Sequence, residues 1–330
     1  MRIRGSVAID LGTVNTLIWV AGRGIVLEEP SAIAIDSGSG AIVAVGTAAA
    51  ALAEKEPQDI SVIHPLRDGV IADLEATAEM LHGFLRKAGS SGPLRRNALV
   101  CVPSGATWVE RRSVAAALEA RRRYSVQLID EPVAAAAGAG LDLAAGAGGF
   151  IVDIGGGTTE VAAVAGWRVV RAESLRTAGN AMDEAIVNAV RSNLGMILGW
   201  RAARQLKTEL GLTGGPDGWA ETVGLDAARR TPRIEKVPAD LVASALEPVV
   251  SAIGSTVQDV LSNIPAGLAE DVVRGQVRLS GGGALLPGLA GRLSEVAGIG
   301  VVVADDPLRC VVRGAAAMLT AVGAPGVPLR

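Results

Sequence analysis

A chain of 330 residues is long enough for two domains with cores of their own, and with 49% hydrophobic and 20% charged residues it lies outside the composition of disordered proteins. The net charge of -3 gives no general basic surface, and the one arginine run, Arg121–Arg123, is too poor in aromatics to form the stacking platform of a nucleic-acid groove, so nucleic acid is not an expected partner. The two cysteines, Cys101 and Cys310, sit in apolar runs and suit a reducing cytoplasm, and His64 and His82 have no second ligand at metal spacing, so no transition metal is expected.

Taken in chain order, Met1–Ser6 leaves no room for the apolar segment of a signal peptide before strand-like residues begin. Ser6–Val20 reads as an apolar strand, a polar Gly turn and a second apolar strand, a hairpin with a carboxylate and hydroxyls at its tip. Ser31–Ile35 and Ala41–Val45 read as paired strands, 46–56 as a helix stopped by Pro57, and Asp73–Lys87 as a helix with Leu74, Met80, Leu81, Phe84 and Leu85 at helical spacing. A loop at 89–93, a buried strand Ala98–Val102, a helix from Thr107 to Arg122, a strand at 126–129 and an Ala-rich helix from Pro132 follow. Strands alternating with helices predict an α/β layer. Val133–Val152 is mostly Ala and Gly and is interrupted by Asp142, so a spanning helix is not expected there.

After the Gly-rich run 146–149 the opening pattern recurs in Phe150–Val164: an apolar strand ending in Asp153, a Gly/Thr turn, and a returning strand. A hairpin duplicated half a chain apart predicts two similarly built domains whose tips face one cleft. Helices at 182–193 and 200–210, a short-strand region after 213–218, helices over 238–263 kinked at Pro248, a strand Gln276–Leu279, a strand Val301–Val303 and a helix Pro307–Leu319 complete the chain.

Phosphates need several donors at close range, and glycine lets the backbone approach. Gly12-Thr13-Val14-Asn15 and Gly155-Gly156-Gly157-Thr158-Thr159 each offer this, and Asp10 and Asp153 at the two strand ends suit a hydrated Mg2+. Each turn alone could simply reverse the chain; the matched pair with two aspartates points to a metal–triphosphate. Gly281-Gly282-Gly283, followed by Ala284, fits either a tight strand–helix connection or a backbone packed against a base or pyrophosphate.

This combination resembles the actin, sugar-kinase and heat-shock-chaperone ATPase superfamily, with Glu131–Gly138 and Cys310–Ala317 as the two small-residue connecting helices. Within it the chain is similar to the MreB family over nearly its whole length, in Ile9–Thr16, Gly24–Ser31, Pro65–Asp73, Cys101–Thr107 with Val109–Arg112, Asp153–Val161, Leu279–Leu286 and Val303–Leu308. The resemblance implies an α/β actin-like fold of two duplicated domains, 1–145 with a small subdomain at about 30–64, and 146–307 with one at about 184–240, the first completed by the C-terminal helix 308–330. It also implies ATP and Mg2+ as cofactors, paired protofilaments of the chain with itself, membrane-bound cell-wall synthesis proteins as partners, and a place in the cytoplasm at the inner membrane face. Slow ATP hydrolysis would be linked to polymer turnover. The family's water-positioning Glu is assigned to Glu110, which by its residues alone reads equally as a helix-dipole charge or ion-pair partner, with Thr158 as second catalytic residue.

Two departures stand out. Arg204-Gln-Leu-Lys207 replaces the family's usual Glu-Arg-Ile-Lys nucleoside contacts, keeping the Lys and losing a ribose-hydroxyl acceptor, and Ala178-Gly-Asn180 replaces Gly-Gly-Asp. The membrane contact implied for the 89–96 loop has only Leu94 with Arg95 and Arg96, and Arg121–Arg123 reads either as a protofilament contact or a solvated helix end. The rival readings are a non-polymerising, weakly hydrolysing scaffold and a small-molecule kinase on the same fold.

Overall fold

The computed structural model describes residues 6–53, 55, 57–90, 96–119, 124–143 and 147–321. Leu94 and Arg95, Arg121–Arg123 and the terminus from 322 lie outside the described residues.

The first apolar run folds as β1 (Val7–Leu11), followed by β2 (Asn15–Val20) and β3 (Gly24–Pro30) in an antiparallel meander. Next come β4 (Ile33–Asp36), β5 (Ile42–Val45), α1 (Thr47–Ala53) and β6 (Ile60–Ile63), a small sheet of order β5-β4-β6 with α1 against it. A short pair, β7 (Leu66–Arg67) and β8 (Val70–Ile71), leads into α2 (Leu74–Lys87). The Asp73 side chain caps α2 by accepting from the Ala76 N–H at 2.9 Å, and Arg86 and Lys87 face the negative end of its dipole. Then follow β9 (Arg96–Val102), α3 (Trp108–Glu119), β10 (Tyr124–Asp130) and α4 (Glu131–Gly138).

The second half contains β11 (Gly148–Ile154), β12 (Thr159–Ala165), β13 (Arg168–Leu175), α5 (Gly179–Leu194), β14 (Met196–Ile197), α6 (Trp200–Leu210), β15 (Trp219–Asp226) and β16 (Pro232–Pro238). It continues with α7 (Ala239–Ser262), α8 (Ala266–Gly275), β17 (Val277–Ser280), a 3-10 turn at Gly282–Leu285, α9 (Leu289–Ala297), β18 (Val301–Val303) and α10 (Cys310–Ala321).

The large sheets have orders β10-β9-β1-β2-β3 and β18-β17-β11-β12-β13, with the same sense at every pairing: two antiparallel pairs on one side of the lead strand and two parallel pairs on the other. Duplication therefore extends from the hairpin to the whole sheet. The parallel strands β1, β9 and β11 are covered on both faces, which is why they read as unbroken apolar runs rather than as alternation. The third strands, β3 and β13, were not expected from the sequence, because edge strands with one solvated face carry charges such as Glu28, Glu29, Arg171 and Glu173.

One core lies between the first sheet and α2–α3 (Ile9, Ile18, Phe84, Leu118), and a second joins the other sheet to α5–α7 and α9 (Val152, Ile186, Leu246, Ile253, Leu293). A third cluster takes the remaining face of each sheet, Ala8 and Leu99 from one and Ile151 and Val164 from the other, and fills the gap with α4 and α10. These helices cross closely enough that a Cβ on Gly138 would stand 1.8 Å from the Cys310 carbonyl oxygen, and one on Gly314 1.8 Å from that of Ala134. Cys101 and Cys310 are buried free thiols.

α7 runs through Pro248 as one continuous helix. It is the one helix among the described residues long and apolar enough to cross a membrane, but its Leu246, Val250, Ile253 and Val257 form the spine of the second core. α8, between the expected helix and strand, was also not anticipated.

Candidate functional site

The two hairpin tips meet. The turn Gly12–Val14 is pinned from behind by Ser31, whose hydroxyl donates to the Gly12 carbonyl at 2.6 Å and lies 2.8 Å from Thr16 Oγ1. In the other tip the Gly155 N–H closes on the Thr158 carbonyl at 2.9 Å. A Cβ on Gly156 would sit 2.1 Å from Val14 Cγ2, and one on Gly157 2.7 Å from Thr13 Oγ1, so any side chain there would force the tips apart. Thr13 Oγ1 also accepts the Gly69 N–H at 2.9 Å. The third glycine run closes the site from the side: Gly281, at φ +77°, donates its N–H to the Pro307 carbonyl at 2.9 Å and presses its backbone onto Ile154.

Between these walls lies a cleft of about 260 Å3. Of the residues singled out from the sequence, it is lined by Asp10, Gly12, Thr13, Val14, Asn15, Asp153, Gly155, Gly156, Gly157, Thr158, Arg204, Lys207, Gly281, Gly282 and Gly283. Ala284 is buried beside it, and Glu110 stands apart from the lining. Glu110 Oε2 accepts the Thr107 N–H at 2.7 Å while Thr107 Oγ1 accepts the Glu110 N–H at 3.3 Å, the reciprocal cap of a Thr-x-x-Glu helix start. Its other oxygen is 3.4 Å from Arg176, and these donors, Thr107 first, hold its carboxyl below the usual range.

One end of the cleft is acidic. Burial, and then the charge of Asp153, push Asp10 up to about 8. Asp153 accepts from Ser280 Oγ at 2.5 Å; burial raises it, while hydrogen bonds from Ser280 and Glu131 partly offset the rise. Glu131, the first residue of α4, also lines the cleft, and burial followed by the charges of Asp153 and Asp10 raises it well above the carboxylate range. Three mutually repelling carboxyls share this end, a donor set that a divalent cation would relieve. Among the described residues no three His, Cys, Asp or Glu side chains are placed to hold a metal ion directly.

The other end is basic and apolar. Lys207 Nζ stands 2.6 Å from Asp183 Oδ1 and 2.9 Å from the Gly179 carbonyl, Arg204 Nε is 3.2 Å from Asp183 Oδ2, and Leu285, Leu286 and Leu308 supply apolar surface. Behind the acidic end, buried Glu160 accepts from the backbone N–H of Ser104 at 3.0 Å and from the hydroxyls of Ser104 and Ser174, tying the first half to the second.

The sequence reading missed Glu131 and Asp183 as cleft residues. Glu131 was seen only as the start of a connecting helix; a carboxylate at a strand–helix junction immediately before Pro132 was the available signal. Asp183, at the start of the expected helix 182–193, carries no local signal that would single it out.

A family model described as MreB/Mbl protein matches residues 4–325. The chain belongs to the MreB/Mbl family. Cell shape-determining protein MreB of Escherichia coli (strain K12) is 43% identical to it over 315 residues, 93% of this chain and 91% of that protein. MreB 5 of Spiroplasma citri, solved bound to AMPPNP, matches the structure with a TM-score of 0.90 at 30% identity over 96% of each chain. The MamK double helical filament matches with a TM-score of 0.80 at 21% identity, over 96% of this chain and 99% of that one, and shows the fold alone. That fold, common to the family, is actin-like.

Proposed function

We propose that this chain is an ATP-binding, filament-forming actin homologue that organises cell shape or cell-wall morphogenesis, with slow ATP hydrolysis linked to polymer turnover. The observation that carries the reading is the contact of two duplicated Gly hairpins, Thr13 and Val14 against Gly156 and Gly157, above a cluster of carboxyls. The backbone N–H groups of both tips bind the phosphates, and Asp10 and Asp153 hold a hydrated Mg2+. The cation would supply charge neutralisation at the phosphates. Leu285, Leu286 and Leu308 take the base.

Hydrolysis needs a group that can take a proton from water beside the terminal phosphate. Glu131 lines the cleft at the acidic end and hydrogen-bonds Asp153, whereas Glu110 is committed to its helix cap and to Arg176. We therefore assign proton transfer to Glu131, whose carboxyl would ionise once a cation offsets the charges of Asp153 and Asp10 beside it, and water positioning to Thr158, with Glu110 left to the cap. Self-association is supported by family membership and by the filament formed on the same fold, and work at the inner membrane face with cell-wall synthesis proteins belongs to the same reading. The second reading, a scaffold with weak nucleotide turnover, draws on one observation: Arg204 and Lys207 both occupy Asp183.

ATP-dependent sedimentation with phosphate release tests these assignments. The parent should pellet and release phosphate, Glu131→Gln should pellet with release reduced by about 100-fold or more, Glu110→Ala should change release by less than about threefold, and Asp153→Ala should do neither. A parent that binds ATP yet neither pellets nor releases phosphate would put the scaffold reading in its place.

A further inference from the structure

The cleft passes from its phosphate end to its apolar end along α5 and α6. The Gly179 N–H donates to the Gly155 carbonyl at 3.1 Å, Lys207 sits on the Gly179 carbonyl and on one oxygen of Asp183, and Arg204, one turn earlier on α6, sits on the other oxygen. Of a nucleotide with its phosphates on the glycines and its base on the leucines, the sugar must cross this stretch. The Asp183 side chain is 1% exposed and has a cation on each oxygen, so the trio carries one net positive charge. Thr208, next along the lining, spends its hydroxyl on the Arg204 and Gln205 carbonyls at 3.1 and 2.9 Å. Arg204 engages Asp183 through Nε, and its side chain is 51% exposed, with no partner for its terminal nitrogens among the described residues.

We propose that Arg204 makes the sugar end of this cleft select a nucleotide whose ribose carries a phosphate ester over one with free hydroxyls. The inference rests on the nucleotide reading above. A free hydroxyl would offer these cations a neutral acceptor and a single bond, whereas a phosphate brings the opposite charge and two oxygens that match the planar fork of the guanidinium. Asp183 does not oppose this strongly, because Lys207 already neutralises it from within the wall. An Arg204 that serves only as an ion-pair partner on the surface would confer no such preference.

The test is equilibrium dialysis of ADP, 2′-phospho-ADP and 3′-phospho-ADP with Mg2+ against the parent, Arg204→Gln and Arg204→Glu. One of the two phospho isomers should bind the parent about fivefold or more tightly than ADP, the ratio should fall to about one in Arg204→Gln and invert in Arg204→Glu, and the preference should shrink as salt rises. An unchanged melting temperature without ligand reports that Arg204→Gln is folded. If ADP binds the parent and both phospho isomers bind more weakly, or if the ratio is the same in all three proteins, the inference is overturned and the nucleotide reading stands. If none of the three ligands binds, both fall.

Discussion

Asp10 is the residue at which burial and repulsion have the most direct physical consequence. In the unfolded chain its carboxyl titrates near 3.8, and in the folded chain it keeps its proton up to about 8. Between those values the folded state holds the extra proton, so this group's contribution to stability is fully present below the unfolded value and is lost as pH rises through the folded one. Urea unfolding of the nucleotide-free protein in EDTA should therefore show the difference between parent and Asp10→Asn moving against the parent from about pH 4 to about pH 8; a flat difference would mean that Asp10 is neither buried nor held beside Asp153 in the folded protein. The identity of Asp10 and Asp153 was legible in the sequence because each is fixed by purely local features, an apolar strand that ends in a carboxylate before a Gly turn. Glu131 was not, because what makes it part of the acidic cluster is its closeness to Asp153, which lies on β11 in the other half of the chain while Glu131 begins α4.

At the scale of the element, the crossing of α4 and α10 depends on two absent side chains. Gly314→Ala places a methyl against the Ala134 carbonyl in a region where both neighbours are backbone and cannot rotate away. It should cost about 1–3 kcal/mol or more in chemical denaturation, as overpacking does, and a variant as stable as the parent would show that the helices can part without loss. Gly156→Ala acts differently: its methyl meets Val14 across the cleft, so it should lower ATP affinity by about tenfold or more while changing the denaturation midpoint less than Gly314→Ala does. The helices and lead strands were readable from apolar spacing. The edge strands β3 and β13 were hidden by their charged faces, and the short α8 by its place between two stronger signals.

At the scale of the molecule, the two halves meet through the shared cluster around α4 and α10, the hairpin tips, and the bonds of Ser104 to Glu160. A nucleotide gripped by both tips binds only the assembled pair, so Mg2+–ATP at 100 times its dissociation constant should raise stability by about 2.7 kcal/mol. Asp153→Ala should abolish that gain in a thermal melt while leaving the ligand-free melt measurable, and a gain that survives would place the nucleotide elsewhere. The sequence by itself determined the repeated strand–Asp–Gly-turn hairpin, its two copies half a chain apart and the small-residue helices, because strand formation, tight turns and close helix crossings are dictated by residue type and near neighbours. Only the tertiary structure decided that Glu131 joins Asp10 and Asp153 while Glu110 stands outside the cleft lining, and that Arg204 and Lys207 converge on Asp183, because those facts depend on distances between residues far apart in the chain, and charge interactions follow distance and burial rather than sequence order.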